Sequence, residues 1–171
     1  AALIIVCELL QLGGYTPAAI ALAAALILTV RLHGWRGWRT AREPLLWILH
    51  IGHLWVAAGF ILWGLTALNV VSSSAWVHAL GAGAIGTMIL GVMTRVAMGH
   101  TGRPLKLLPG MRWGYAAVIF AGAVRVISAL GWMPNIVGLW LAAALWVGAF
   151  ILFLYLYGPI LLTPRADGKP G

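Results

Sequence analysis

The residues of this chain that could do chemistry are few: five histidines, and two arginines, Arg95 and Arg125, that stand inside apolar stretches apart from the other basic residues. His50 and His53 are three positions apart, about 60° around a helix, and so share one face. A histidine within a membrane is mostly uncharged at neutral pH and can offer Nε2 to haem iron or copper. A bond to a carbonyl of a neighbouring helix accounts for any single one of them equally well. Arg95 is harder to explain structurally. A cation costs roughly 2.5–3.5 kcal/mol at the centre of a membrane helix and less near an interface, so it is retained to neutralise a carboxylate, a carbonyl cluster or a bound anionic group. His50, Arg95 and His100 come to the same end of the molecule. That convergence makes them the candidate locus, with a histidine on iron or copper and Arg95 set against an anionic group such as a haem propionate. His33, beside a basic loop, reads as interfacial.

A second polar pair lies at the other end. His78 begins the helix that Arg95 ends, and about 25 Å separates them at 1.5 Å per residue, so they cannot serve one small site. Arg125 lies at a similar depth to His78. Its counter-charge must come from a cofactor, from backbone carbonyls or from a further part of the protein. Glu8 is the one carboxylate expected at membrane depth.

These residues need helices to hold them. The chain is 63% hydrophobic and 8% charged, with a mean hydropathy of +0.99, whereas a soluble domain carries about 25% charged residues. The apolar runs suit membrane helices rather than the ten-residue alternation of a barrel strand. The fold class is therefore all-α, a polytopic transmembrane bundle. Helices are expected at about 17–33, 45–68, 75–98, 113–130 and 136–158, with Pro44 at the first position of the second. Residues 1–12 would make only about 18 Å of helix, too short for a core about 30 Å thick, and read as the tail of a truncated helix. The expected organisation is that stub, a five-helix bundle over 17–158, and a polar tail over 159–171.

The formal charge of +8 is not a nucleic-acid signal. Nine of the eleven basic residues fall in three clusters: Arg31, Arg36, Arg39 and Arg42; Arg103, Lys106 and Arg112; Arg165 and Lys169. These alternate with the uncharged links 13–16, 69–74 and 131–135, which places the basic loops and the C-terminus in the cytoplasm. Trp35, Trp38, Trp47 and Trp113 fall at the inner interface, and Trp76 and Trp132 at the outer one, as membrane anchors. Trp55, Trp63 and Trp146 lie deeper, where packing is the default. Cys7 is the only cysteine, so neither an internal disulfide nor a CxxCH haem attachment is possible.

Residues 81–86 match GxGxxG, yet no strand precedes them and no acidic residue follows at the ribose-binding distance, so this is no dinucleotide fingerprint. The glycines have another use. Ala79, Gly83, Thr87 and Gly91 recur every fourth residue as a stripe that lets another helix approach closely. Arg95 continues the same spacing and is expected to point into the bundle.

The stretch HALGAGAIGTMILGVMTRVAMGHTGRPL (78–105), with PLLWILHIGHLW (44–55) and YGPILLTPRADGKPG (157–171), resembles the C-terminal part of the NnrS family over nearly the whole chain. These are polytopic bacterial inner-membrane proteins, linked to nitric oxide and denitrification and described as containing haem and copper. The resemblance implies non-covalent haem b and copper as cofactors, nitric oxide as a ligand, and an N-terminal half of the same protein as partner beside the lipid bilayer. It places His50, His78, Arg95, His100, Thr101, Gly102, Arg103 and Pro104 on motif positions. His53 stands where many relatives are expected to carry tyrosine. Cofactor-binding candidates are then His50, His78, Arg95, His100, Arg103 and Arg125, and metal-ligand candidates His50, His53, His78 and His100. The reading is a haem- and copper-binding protein of the nitric oxide response. With so few carboxylates to relay protons, no catalytic residue and no enzymatic reaction is assigned. The rival is a transporter of a small molecule or ion using Arg95 and Arg125 as substrate-binding cations; a structural subunit is the third reading.

Overall fold

The computed structural model describes residues 13–168 together with 6, 7, 9 and 10. Glu8 and most of the N-terminal stub lie outside the described residues, as do 169–171. Five long helices follow one another: α1 (Tyr15–Gly34), α2 (Pro44–Ala67), α3 (Ser73–His100), α4 (Met111–Ala129) and α5 (Asn135–Leu161), with a short 3-10 turn at Gly37–Thr40 between α1 and α2. No strand occurs among the described residues.

Each start has a local cause. Pro44 opens α2, where its missing N–H costs nothing. Ser72 caps α3, its Oγ accepting from the Ser74 amide at 3.2 Å. Gly110, at φ +89°, turns the chain into α4. The Gly14 amide donates to the Ala67 carbonyl at 2.9 Å, tying the start of α1 to the end of α2. α5 runs through Pro159 to Leu161, past the expected end.

Four helices, α1, α2, α3 and α5, are long and apolar enough to cross a membrane. α4, with 19 residues, is not among them: Arg112 and Arg125 dilute its hydropathy. It packs most extensively on α5 and also on α3, while α1 pairs with α2 at the edge of the bundle. The outward faces are apolar, with Leu139, Trp140, Ile151 and Leu154 exposed on α5, a surface suited to lipid.

α3 is not a uniform α-helix. Ala79–Ile85 is π-helical, and this shapes the small-residue stripe. A four-residue step in an α-helix drifts about 40°; the wider π turn absorbs much of that drift, so Ala79, Gly83 and Thr87 stay on one buried face. Beyond it the α-helical drift resumes. Gly91 is still buried, but the next inward position falls to Thr94, fully buried and hydrogen-bonded to the Tyr115 hydroxyl. Arg95, where the four-residue spacing continues, is half-buried.

The stripe packs as tightly as its residues allow. A Cβ on Gly122 of α4 would lie 2.8 Å from Gly83 Cα, so two backbones meet there. A Cβ on Gly83 would lie 2.5 Å from the Trp55 ring, and one on Gly91 2.9 Å from Ile48. Trp55 is thus a packing residue at the α2–α3 contact. Below this crossing Ile48, Leu90, Met111, Tyr115, Phe153 and Tyr157 form the main core.

Candidate functional site: a histidine-lined cleft between α1 and α2

α1 packs chiefly on α2 at the edge of the bundle, and the basic loop that joins them folds back beside that pair. The 3-10 turn does this, and beneath it lies a cleft of about 600 Å³ with His33, Gly37, Trp38, Trp47 and His50 in its walls, the remainder being chiefly aliphatic. That volume is within the usual range for a cofactor or small-molecule site.

His50 Nδ1 lies 3.0 Å from the Leu46 carbonyl, one turn back on the same helix. A carbonyl only accepts, so Nδ1 carries the hydrogen, and Nε2 of the neutral ring keeps its lone pair. This is the arrangement in which a histidine binds metal, the second nitrogen fixing tautomer and ring orientation. Gly37 brings the turn up against this ring: a Cβ there would stand 2.6 Å from His50 Cδ2 and 3.2 Å from Nε2, so only a glycine lets the backbone come so close. Two indoles complete the surroundings. Trp38 packs on His33 with ring centroids 4.9 Å apart, and Trp35 stands edge-on to His50 at 6.1 Å. His53 is held in the same tautomer by the Leu49 carbonyl at 2.9 Å, and Trp35 packs on it at 4.9 Å. It is not in the wall of the cleft.

Arg95 and His100 are not in that wall either. Depth along a helix can be counted from a sequence, but azimuth depends on packing, and here it separates His50 from the other two. Arg95 makes no side-chain hydrogen bond or ion pair among the described residues. His100 is exposed, and its carbonyl accepts from Arg165 Nη1 at 3.0 Å. Arg103 donates to the Thr101 carbonyl at 3.3 Å and to Thr163 Oγ1 at 3.0 Å. The Ala166 amide donates to the Thr101 carbonyl at 2.9 Å. The motif residues 100–103 therefore bind the C-terminal segment, which docks rather than hanging free. Arg165 is clamped by Asp167 through two hydrogen bonds, 2.9 and 2.6 Å, and this carboxylate raises the guanidinium pKa further.

At the opposite end His78 and Arg125 line a second cavity of about 400 Å³, together with Trp146 and small residues of α3 and α5. Arg125 donates to Asn135 Oδ1 at 3.2 Å, and Ser128 Oγ donates to the same oxygen, also at 3.2 Å. An amide oxygen at the start of α5 is thus the partner that Arg125 lacked in the sequence reading.

Sequence reasoning missed His33, Gly37, Trp38 and Asn135. The Gly-Trp-Arg repeat at 34–39 was the available signal for the turn; Asn135 was legible only as the one amide in an uncharged link.

The cleft suits haem on its chemistry: one imidazole in the ligating tautomer, and apolar walls with aromatic rings. A multi-ligand copper centre does not find its donors here, since among the described residues no three His, Cys, Asp or Glu side chains come together as a metal-binding group. Comparison with protein families matches residues 1–165 to the model described as NnrS protein. Comparisons with curated proteins and with solved structures gave no match. A match over nearly the whole length is decisive, and the chain belongs to the NnrS family.

Proposed function

We propose that this protein is a haem-binding membrane protein of the nitric oxide response, with His50 as the iron ligand in the cleft between α1 and α2. The observation that supports it most is the His50–Leu46 hydrogen bond in the wall of the cleft, which leaves the lone pair on Nε2. Bound there, haem would supply an iron that takes nitric oxide as a ligand. The chain's own part is to hold and shield. The Leu46 carbonyl keeps the imidazole in one tautomer, Gly37 lets the turn lie against its ring, and Trp38 and Trp47 supply aromatic wall. Arg95, half-buried and without an ion pair among the described residues, is assigned to an anionic group approaching from outside these five helices, and copper to donors shared with another part of the protein. The family relationship supports the nitric oxide context.

The same reading takes α4 as a fifth span of the bacterial inner membrane, filled in by its contacts with α3 and α5, with the basic loops and the C-terminus in the cytoplasm. A C-terminal reporter should be active only on the cytoplasmic side; activity in the periplasm contradicts that orientation. The cofactor claim is tested by the visible spectrum of the purified full-length protein. A Soret band that shifts on addition of nitric oxide is expected, and a colourless protein that takes up no added haem refutes it. A transport role has one observation in its favour, the His78–Arg125 cavity, but Arg125 is already engaged by Asn135 there.

A further inference from the structure

The geometry points to a binding site for the headgroup phosphate of an acidic phospholipid, in a cleft of about 700 Å³ between the starts of α2 and α4. Arg42, Lys106 and Arg112 line it, against one carboxylate, Glu43. All three cations are exposed, and none has a side-chain hydrogen bond or ion pair among the described residues. α2 and α4 also begin here, at Pro44 and Met111, with no acidic residue in either first turn, so the positive ends of two helix dipoles add to the potential. The charge is therefore both concentrated and unspent.

The surroundings select a lipid over a small ion. The rest of the wall is uncharged and chiefly apolar, with Leu105, Leu107 and Leu108 between Pro44, Pro109 and Gly110, and Leu105 and the neighbouring Trp113 are exposed to the outside, Trp113 by 77%. An apolar rim next to cations at the ends of spanning helices is where a headgroup layer meets acyl chains, and Trp at that level is an interfacial anchor. A phospholipid offers phosphate to the arginines and glycerol and chain to the leucines at once. Free phosphate would use only the first. This site is separate from the His33–His50 cleft and does not rest on the haem reading.

Native mass spectrometry after detergent exchange, with phosphatidylglycerol and phosphatidylcholine of matched chains, reads the preference directly. The wild-type protein should retain phosphatidylglycerol over phosphatidylcholine. Each of Arg42→Gln, Lys106→Gln and Arg112→Gln should lower that preference about fivefold, the equivalent of about 1 kcal/mol per cation. Glu43→Gln should raise it, a change in the opposite direction that a merely damaged fold would not give. Unchanged preference in the three single variants, or no gain in Glu43→Gln, overturns the site. Displacement of the bound phosphatidylglycerol by millimolar inorganic phosphate overturns the lipid assignment in favour of a soluble anion.

Discussion

Glycine does opposite work in two regions of this molecule. At the α3–α4 crossing Gly83 and Gly122 remove side chains so that backbones can touch, with nothing left over: a Cβ on Gly122 would be 2.8 Å from Gly83 Cα. In the turn over the α1–α2 cleft, Gly37 removes a side chain so that the turn can lie against the His50 ring beside the cleft. The first absence is filled by protein, and the second borders a cavity of about 600 Å³. The space proposed for a ligand therefore lies at the edge of the bundle, while the Gly-rich stretch that dominates the sequence is a packing device.

The sharpest way to break that contrast is to enlarge both glycines. Gly83→Leu should prevent recovery of folded protein, because even its Cβ would meet the Trp55 ring at 2.5 Å. Gly122→Ala should cost about 1–3 kcal/mol, the range for overpacking against a backbone that cannot yield. Thermal melting in detergent reads both; wild-type melting curves would mean that α3 and α4 do not meet at these residues. Gly37→Ala should behave differently. Its Cβ would stand 2.6 Å from His50 Cδ2, so it should displace the His50 ring at a smaller cost in melting than Gly83→Leu while lowering the haem retained on purification. Equal haem in that variant would show that access to His50 does not depend on Gly37. The smallest effect is expected at the docked C-terminal segment. Arg103→Gln removes the hydrogen bond to Thr163 Oγ1 and should cost about 1 kcal/mol, seen as faster proteolysis of residues after Leu161 with unchanged haem. If haem is lost instead, the 100–103 loop belongs to the site and the comparison must be redrawn.

Much of the architecture could be read before any coordinates. Five helices, their order, the loops between them and the buried stripe of Ala79, Gly83, Thr87 and Gly91 follow from apolar run length, Pro and Gly placement and spacing. Azimuth was less legible. Counting in fours carried the stripe on to Arg95, which is half-buried; past the π turn at Ala79–Ile85 the α-helical drift resumes, and the fully buried place is that of Thr94. Nothing in the local residues announces a π turn beyond small side chains. The site was legible to a similar degree. His50 could be chosen from its depth, but its partners depended on how the 34–43 loop folds back, which placed His33, Gly37 and Trp38 in the wall. Arg103 and His100, chosen for charge and imidazole, turned out to hold the chain's C-terminal segment through a guanidinium and a backbone carbonyl. Arg125 found its partner across a helix link, at Asn135, a pairing with no signature in local sequence.

The most direct measurement is the Soret absorbance per protein of the full-length wild type beside His50→Ala and His100→Ala, each purified with haem supplied in excess. His50→Ala should lose the band, because the Nε2 lone pair goes with the imidazole, while His100→Ala, exposed and outside the cleft, should keep it. A His50→Ala protein that holds haem at wild-type stoichiometry would contradict the assignment of the cleft.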